Sequence, residues 1–253
     1  MAPPSPPKPF ITILTTSPRT PLPALSSRPP ILTPRLLLRP LRSSAGDIEH
    51  FHTLCAQASF MAETGKGVSY ADVSETRDAV QRLEDEWEGH FWFGVFLRKN
   101  KTKTGSADTE VREEGGEEEG ELIGDCGIYS LSGTCSGWPE IGYKLAFSHR
   151  GKGYATEAVA AVLNAWWHLP RTHTSTRVVH PDTVHHTTAQ EGKGGEEVEE
   201  EKKERIAAEI ATYNTASRRV LEKLGFRHFG TWEEPDTQLH RLGQPIELAH
   251  YML

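Results

Sequence analysis

The chain has 253 residues, 36% of them hydrophobic and about 45% apolar once its 22 glycines are counted, with a formal net charge of −7. That fits one ordinary domain with appended segments, and no stretch approaches the ~18 consecutive apolar residues of a membrane span, so no membrane association is expected. Three cysteines (Cys55, Cys126, Cys135) form no CxxC pair, which argues against a disulfide-stapled scaffold and for a reducing, cytoplasmic setting.

Residues 1–30 hold ten of the seventeen prolines. That density disfavours a regular helix or a sheet core, and it predicts a disordered Pro-rich tail ahead of a single domain over residues 31–253. The first acidic residue is Asp47. An acid-free, Arg- and Ser-bearing start leaves a mitochondrial leader open beside the cytoplasmic reading, although the prolines would break the amphipathic helix a leader needs.

The ordered part begins near Leu32, and residues 35–41 read as a strand ended by Pro40. A helix follows from Asp47, with Ile48, Phe51, Leu54 and Cys55 on or near one face. Ser74 is expected to cap a second helix carrying Ala79, Val80, Leu83 and Trp87. Residues 91–97 are dense in aromatic and β-branched types and read as a strand, as do 122–131 and 139–147. A helix after residue 150 and a strand–helix–strand–strand sequence complete the chain. Two Glu/Gly-rich runs carry the acidity: residues 106–121 net −7 and residues 190–204 net −4, leaving the remainder at +4. Such runs bury too little apolar surface to offset the entropy of ordering. They are expected as solvated loop insertions at about 100–120 and 172–204, with an acidic surface for a basic partner as the alternative.

The strongest local pattern follows residue 150. Ala155, Ala158, Val159, Val162, Leu163 and Trp166 fall at i, i+3, i+4, i+7, i+8 and i+11, an apolar stripe that packs a helix on a sheet. Immediately before it stand Arg150, Gly151, Lys152, Gly153, Tyr154 and Ala155. Two glycines let the backbone turn tightly and let a ligand approach it. The first amides of the helix point outward without internal partners, and with the helix dipole they form an anion site suited to a pyrophosphate. The run fits neither the P-loop, which needs Ser or Thr after GK, nor the dinucleotide fingerprint. A strand-to-helix turn that binds nothing is the alternative.

These residues resemble a GNAT-type acetyl-CoA-dependent N-acetyltransferase, in particular the ribosomal-protein-alanine (RimJ/RimL-like) branch. Arg150, Gly153 and Ala155 match the family's R/Q-x-x-G-x-G/A signature; the strand of residues 140–145 precedes it, and Asn214 to Phe226 supplies a third motif. The opening residues 32–39 are also typical of that branch. The resemblance spans residues 31–253 and omits the tail and both insertions. It implies an α/β (α+β) fold: a mixed, mostly antiparallel sheet with helices on both faces and a V-shaped splay between the family's strands 4 and 5. It implies acetyl-CoA as co-substrate, with the pyrophosphate on the amides of residues 150–155. The pantetheine would run like an added strand along Leu145, Ala146 and Phe147. Asn214 and Ser217 would meet the cofactor arm. Asn214 also reads as a helix N-cap and Gly225 as the residue that ends the same helix.

The implied reaction is direct attack of a primary amine, on a protein N-terminus or a small molecule, in a ternary complex. The amine must be neutral. At pH 7 deprotonation costs about 4.6 kcal/mol for a lysine amine and about 1.1 kcal/mol for an α-amine. The resemblance makes Glu140 the candidate general base, with a surface strand carboxylate as its alternative. An amide at residues 145–147 would stabilise the oxyanion. Many relatives place a proton-donating Tyr seven residues after the Asn; here that residue is Leu221, which cannot donate. A non-catalytic CoA-binding or protein-interaction module is therefore the alternative function. His173, His180, His185 and His186 lack metal-ligand spacing, so no metal site is assigned, and no basic-aromatic patch argues for nucleic acid. Cys126 and Trp166 are expected in the core. The amine, the acyl range and the oligomeric state stay open.

Overall fold

The computed structural model describes residues 9–99, 119–133, 135–184 and 202–253. The elements in chain order are β1 (Ile11–Pro18), β2 (Ile31–Leu32), β3 (Leu36–Arg39), α1 (Ala45–Cys55), α2 (Ala58–Met61), α3 (Val73–Asp85), β4 (Phe91–Arg98), β5 (Glu119–Ser130), β6 (Glu140–Leu145), α4 (Tyr154–Trp167), β7 (Arg171–Val179), β8 (Ala207–Ala211), α5 (Thr215–Lys223), β9 (Arg227–Pro235) and β10 (Pro245–Met252). The main sheet runs β2-β3-β4-β5-β6-β8-β10-β9. All its neighbours are antiparallel except β6 and β8, which are parallel and share a single register pair, Glu140 with Ala207. The Ala207 amide donates to the Pro139 carbonyl at 2.8 Å at the same end. Beyond that point the two strands part, which is the expected V.

Helices cover both faces. On one, Ala158, Val159, Val162, Leu163 and Trp166 of α4 and Leu221 of α5 pack with Phe93, Ile123, Cys126, Ile128 and Ile141. The stripe read from the sequence is thus buried, and Cys126 and Trp166 lie in the core. On the other face, Phe51, Leu54 and Cys55 of α1, Phe60 and Met61 of α2 and Val80 of α3 enclose Leu37, Phe96 and Leu122. The cap of α3 is Asp72 rather than Ser74: the Asp72 carboxylate accepts the Ser74 amide at 2.7 Å. An aspartate two residues ahead reaches the free amides better than a Ser already inside the helix.

The N-terminal segment corrects the sequence reading. Residues 9–30 are not a disordered tail where they are described. β1 pairs antiparallel with β7 as a separate two-stranded ribbon, Ile11 opposite Val179 and Pro18 opposite Arg171. Leu22 and Thr15 are buried, and Ile11 and Ile13 pack against a small core of Trp138, Val179, Val184, Ala207 and Met252. Arg28 is buried as well, donating to the carbonyls of Pro23, Trp87 and His90. Among the described prolines of this segment, Pro18 closes β1 at its last position and the others lie outside the strand, where missing amides cost no ladder bond inside it.

The second insertion also begins later than expected, since Arg171–Val179 is a strand. Its β-branched threonines find their hydrogen-bond partner in β1. Glu204, counted in the acidic run, is buried, paired with Arg171 and within 3.3 Å of the Trp166 indole nitrogen. Residues 1–8, most of both acidic runs, and His185 and His186 lie outside the described residues.

Candidate active site

The opening between β6 and β8 is a cleft of about 840 Å³. Its walls are Trp92 and Tyr129 from β4 and β5, residues 141–145 of β6, residues 208–211 of β8 and the start of α5. β6 bonds to β5 on its other side, so its backbone edge beyond Glu140 faces this opening. Of the expected cofactor residues, Leu145, Arg150, Gly151, Gly153, Tyr154, Ala155, Asn214 and Ser217 line the cleft.

The turn before α4 has the backbone an anion cradle requires. Gly151 and Gly153 take φ of 74° and 84°, a left-handed conformation that disfavours any side chain. Gly153 is the N-cap of α4 and offers no side chain to cap it. Among the described residues, no protein group accepts the amides of residues 151–155, whereas the Arg150 amide donates to Phe147 at 3.2 Å. The cradle is therefore narrower than the sequence implied and starts at Gly151. The Arg150 guanidinium is also committed to the frame, donating to Leu145 and Ser59 carbonyls at 3.1 and 2.7 Å.

Arg35 supports the same turn, a role that sequence reading missed. Its guanidinium donates to the Lys152 carbonyl at 2.9 Å and to Glu157 at 2.7 Å, and it lies over the Tyr154 ring. Partial burial works against charge on Glu157. The bonds from Thr33 and Arg35 outweigh that and hold its carboxyl below the usual range. The turn is thus clamped from β3 through a carboxylate in the first turn of α4.

Three expected cofactor residues are placed differently. Ala146 is buried in the α1–α3 face and its amide donates to Ile123 at 2.8 Å, so it is spent as an oxyanion donor. Phe147 is 68% exposed and Lys152 is exposed, and neither lines the cleft. Their side chains follow the short 3-10 turn and the glycine turn outward. Asn214 caps α5, its Oδ1 accepting the Ser217 amide at 3.0 Å, while also lining the cleft, so capping and cleft lining coexist there. Gly225, with φ of 88°, follows α5 as expected. Leu221 is 0% exposed, inside the core.

Glu140 is 6% exposed and is not a lining residue. Burial pushes its carboxyl up to about 7. Tyr129, which does line the cleft, favours the charged form, and Glu209 and Glu234 disfavour it. The surface-carboxylate alternative is therefore excluded. Lys144 and Asp125 form an ion pair on the same face of the sheet, where Lys144 sits among Phe51, Phe60 and Trp92. Burial raises the Asp125 carboxyl and the Lys144 charge opposes it.

The sequence profile of the acetyltransferase (GNAT) domain matches residues 35–227. No curated protein matches the chain. Among solved structures, a GNAT-family acetyltransferase from Bacillus anthracis aligns at 21% identity over 89% of this chain and 98% of its own, with a TM-score of 0.55. The microcin C7 self-immunity acetyltransferase MccE, solved with acetyl-CoA and AMP, aligns at 12% identity over 87% and 93%, with a TM-score of 0.56. A Salmonella typhimurium acetyltransferase that modifies the N-terminal serine of ribosomal protein L7/L12 aligns at 15% identity over 89% and 98%, with a TM-score of 0.54. Among the described residues no helix is long and apolar enough to cross a membrane. With the profile covering most of the domain and the splayed sheet in place, the chain belongs to the GNAT acetyltransferase family and is an N-acetyltransferase.

Proposed function

We propose that the chain transfers an acetyl group from acetyl-CoA to the α-amine of a protein or peptide N-terminus. The observation that carries this is the set of unbonded amides at residues 151–155, opening on a cleft whose strand edge is free. The amides and the dipole of α4 receive the diphosphate. The edge of β6 accepts the pantetheine as an added strand. The thioester carbonyl then lies near Leu145, and Asn214 and Ser217 bound the arm from the opposite wall.

Glu140 takes the amine proton at a distance. Its carboxylate sits beside Tyr129, so the proton passes through the Tyr129 hydroxyl or a water in the cleft. A base near 7 is matched to an α-ammonium near 7.8 and falls more than three units short of a lysine near 10.4. That match favours an N-terminal amine over a lysine side chain. The thiolate is a tolerable leaving group, which fits a core Leu221 and no dedicated acid there.

Thiol release from acetyl-CoA, measured with a free N-terminal peptide, an N-blocked lysine peptide and small amines, tests the reading. Turnover fastest with the free N-terminus is expected. Tight CoA binding without turnover on any amine would make the chain a binding module instead.

A further inference from the structure

Four side chains from four separate segments converge beside the cleft: Cys135 from the β5–β6 connection, Glu209 from β8, Glu234 from β9 and His250 from β10. One ligand atom of each lies within 4.8 Å of all the others. Cys135 Sγ donates to Glu234 Oε1 at 2.8 Å, and His250 Nδ1 stands 3.5 Å from Glu209 Oε2. A tetrahedral zinc with bonds of about 2.0 Å to nitrogen and oxygen spaces its ligands roughly 3.3 Å apart, so small rotations close the set.

The charges point the same way. Glu209 and Glu234 stand close to each other and to Glu140, and among the described residues none of the three pairs with a Lys or Arg. Such a group needs protons or a cation. His250 is 3% exposed and its Nε2 makes no hydrogen bond. An imidazole ligates metals in its neutral form, which a buried position favours. An ammonium group would want carboxylates alone. A thiol and a neutral imidazole beside two carboxylates are a donor set for a borderline-soft divalent ion. Glu209 and Glu234 also line the cleft, which gives an entry path.

We infer that Cys135, Glu209, Glu234 and His250 form a zinc-type divalent metal site, joining the segment that leads into β6 to the far half of the sheet. The site does not rest on the acetyl-transfer reading, but it adjoins that site: Glu209 and Glu234 line the same cleft and oppose charge on Glu140, so a bound cation would draw the Glu140 carboxyl down. The test uses the untagged full chain, dialysed against zinc and analysed for bound metal, and in parallel loaded with cobalt(II). One metal per chain is expected, with a thiolate-to-cobalt charge-transfer band that Cys135→Ser abolishes and Cys55→Ser leaves intact. Zinc should raise the melting temperature by about 5 °C in the native chain and not in Cys135→Ser. Glu234→Gln, a milder change at a partly exposed position, should weaken zinc binding at least tenfold. Absence of bound metal, or a cobalt band that survives Cys135→Ser, overturns the proposal. So does zinc indifference combined with weaker cationic-amine binding in Glu234→Gln, which would make the acids an ammonium subsite.

Discussion

Glu140 combines a cost and a function in one side chain. Its folded pKa of about 7 lies above the ordinary carboxylate value, so the folded chain holds a proton that the unfolded chain releases. Its burial penalty is absent below the ordinary value and grows as pH rises towards 7. Glu140→Gln should therefore melt higher than the native chain at pH 8 and nearly with it at pH 4.5. The same variant should lose the acid limb of the kcat/KM profile, whose midpoint the native chain should show near 7. Calorimetric melting and initial rates across pH check both, and an unchanged rate profile would move the base elsewhere. Gly153 is the second decisive residue. Gly153→Val places a β-branched residue at φ of 84°, which costs about 1–3 kcal/mol or forces the turn to rearrange. CoA affinity should fall at least thirtyfold in titration calorimetry, with the circular dichroism of the sheet and helices unchanged. Local glycine spacing made this position legible in the sequence. The face of Glu140 was not legible, because alternation along a strand does not say which face borders the cleft.

At the scale of elements, the anion turn is held by a contact between β3 and α4 that spans more than a hundred residues. Arg35→Ala removes the support under Lys152 and leaves Glu157 without its main cation. CoA binding should weaken about three- to tenfold, while stability falls by no more than about 1 kcal/mol because Arg35 is half exposed. Titration with CoA beside a denaturant melt separates the two effects; unchanged affinity would mean the turn is self-supporting. The helix itself was readable, since its stripe repeats within three turns. Arg35 was not, since its partners lie far along the chain. The four-residue cluster at 135, 209, 234 and 250 escaped for the same reason: each ligand comes from a different segment, and no spacing announces it.

For the whole molecule, most single elements were legible because each carries its own periodicity, whereas the two covered faces and the splay were implied by the resemblance to the family and the strand order was not read at all. The β1–β7 ribbon was not legible, since proline content hid the alternation of Ile11, Ile13 and Thr15, and its partner strand is polar. The family profile starts at residue 35, so β1 lies outside the residues it matches while β7 lies within them. Removing residues 1–30 exposes Trp138 and Val179 and deletes buried Leu22 and Arg28. A loss of about 2–4 kcal/mol is expected, with CoA affinity kept within about threefold because the cleft lies on other elements. Equal melting temperatures of the native and shortened chains would make the segment peripheral.

All of this turns on where the diphosphate of coenzyme A sits. A crystal structure of the chain grown with CoA measures it directly. Diphosphate oxygens within about 3.2 Å of the amides of residues 151–155, with the pantetheine along β6, are the expected result. A diphosphate bound elsewhere, with those amides turned to solvent or to the protein's own acceptors, would contradict the account.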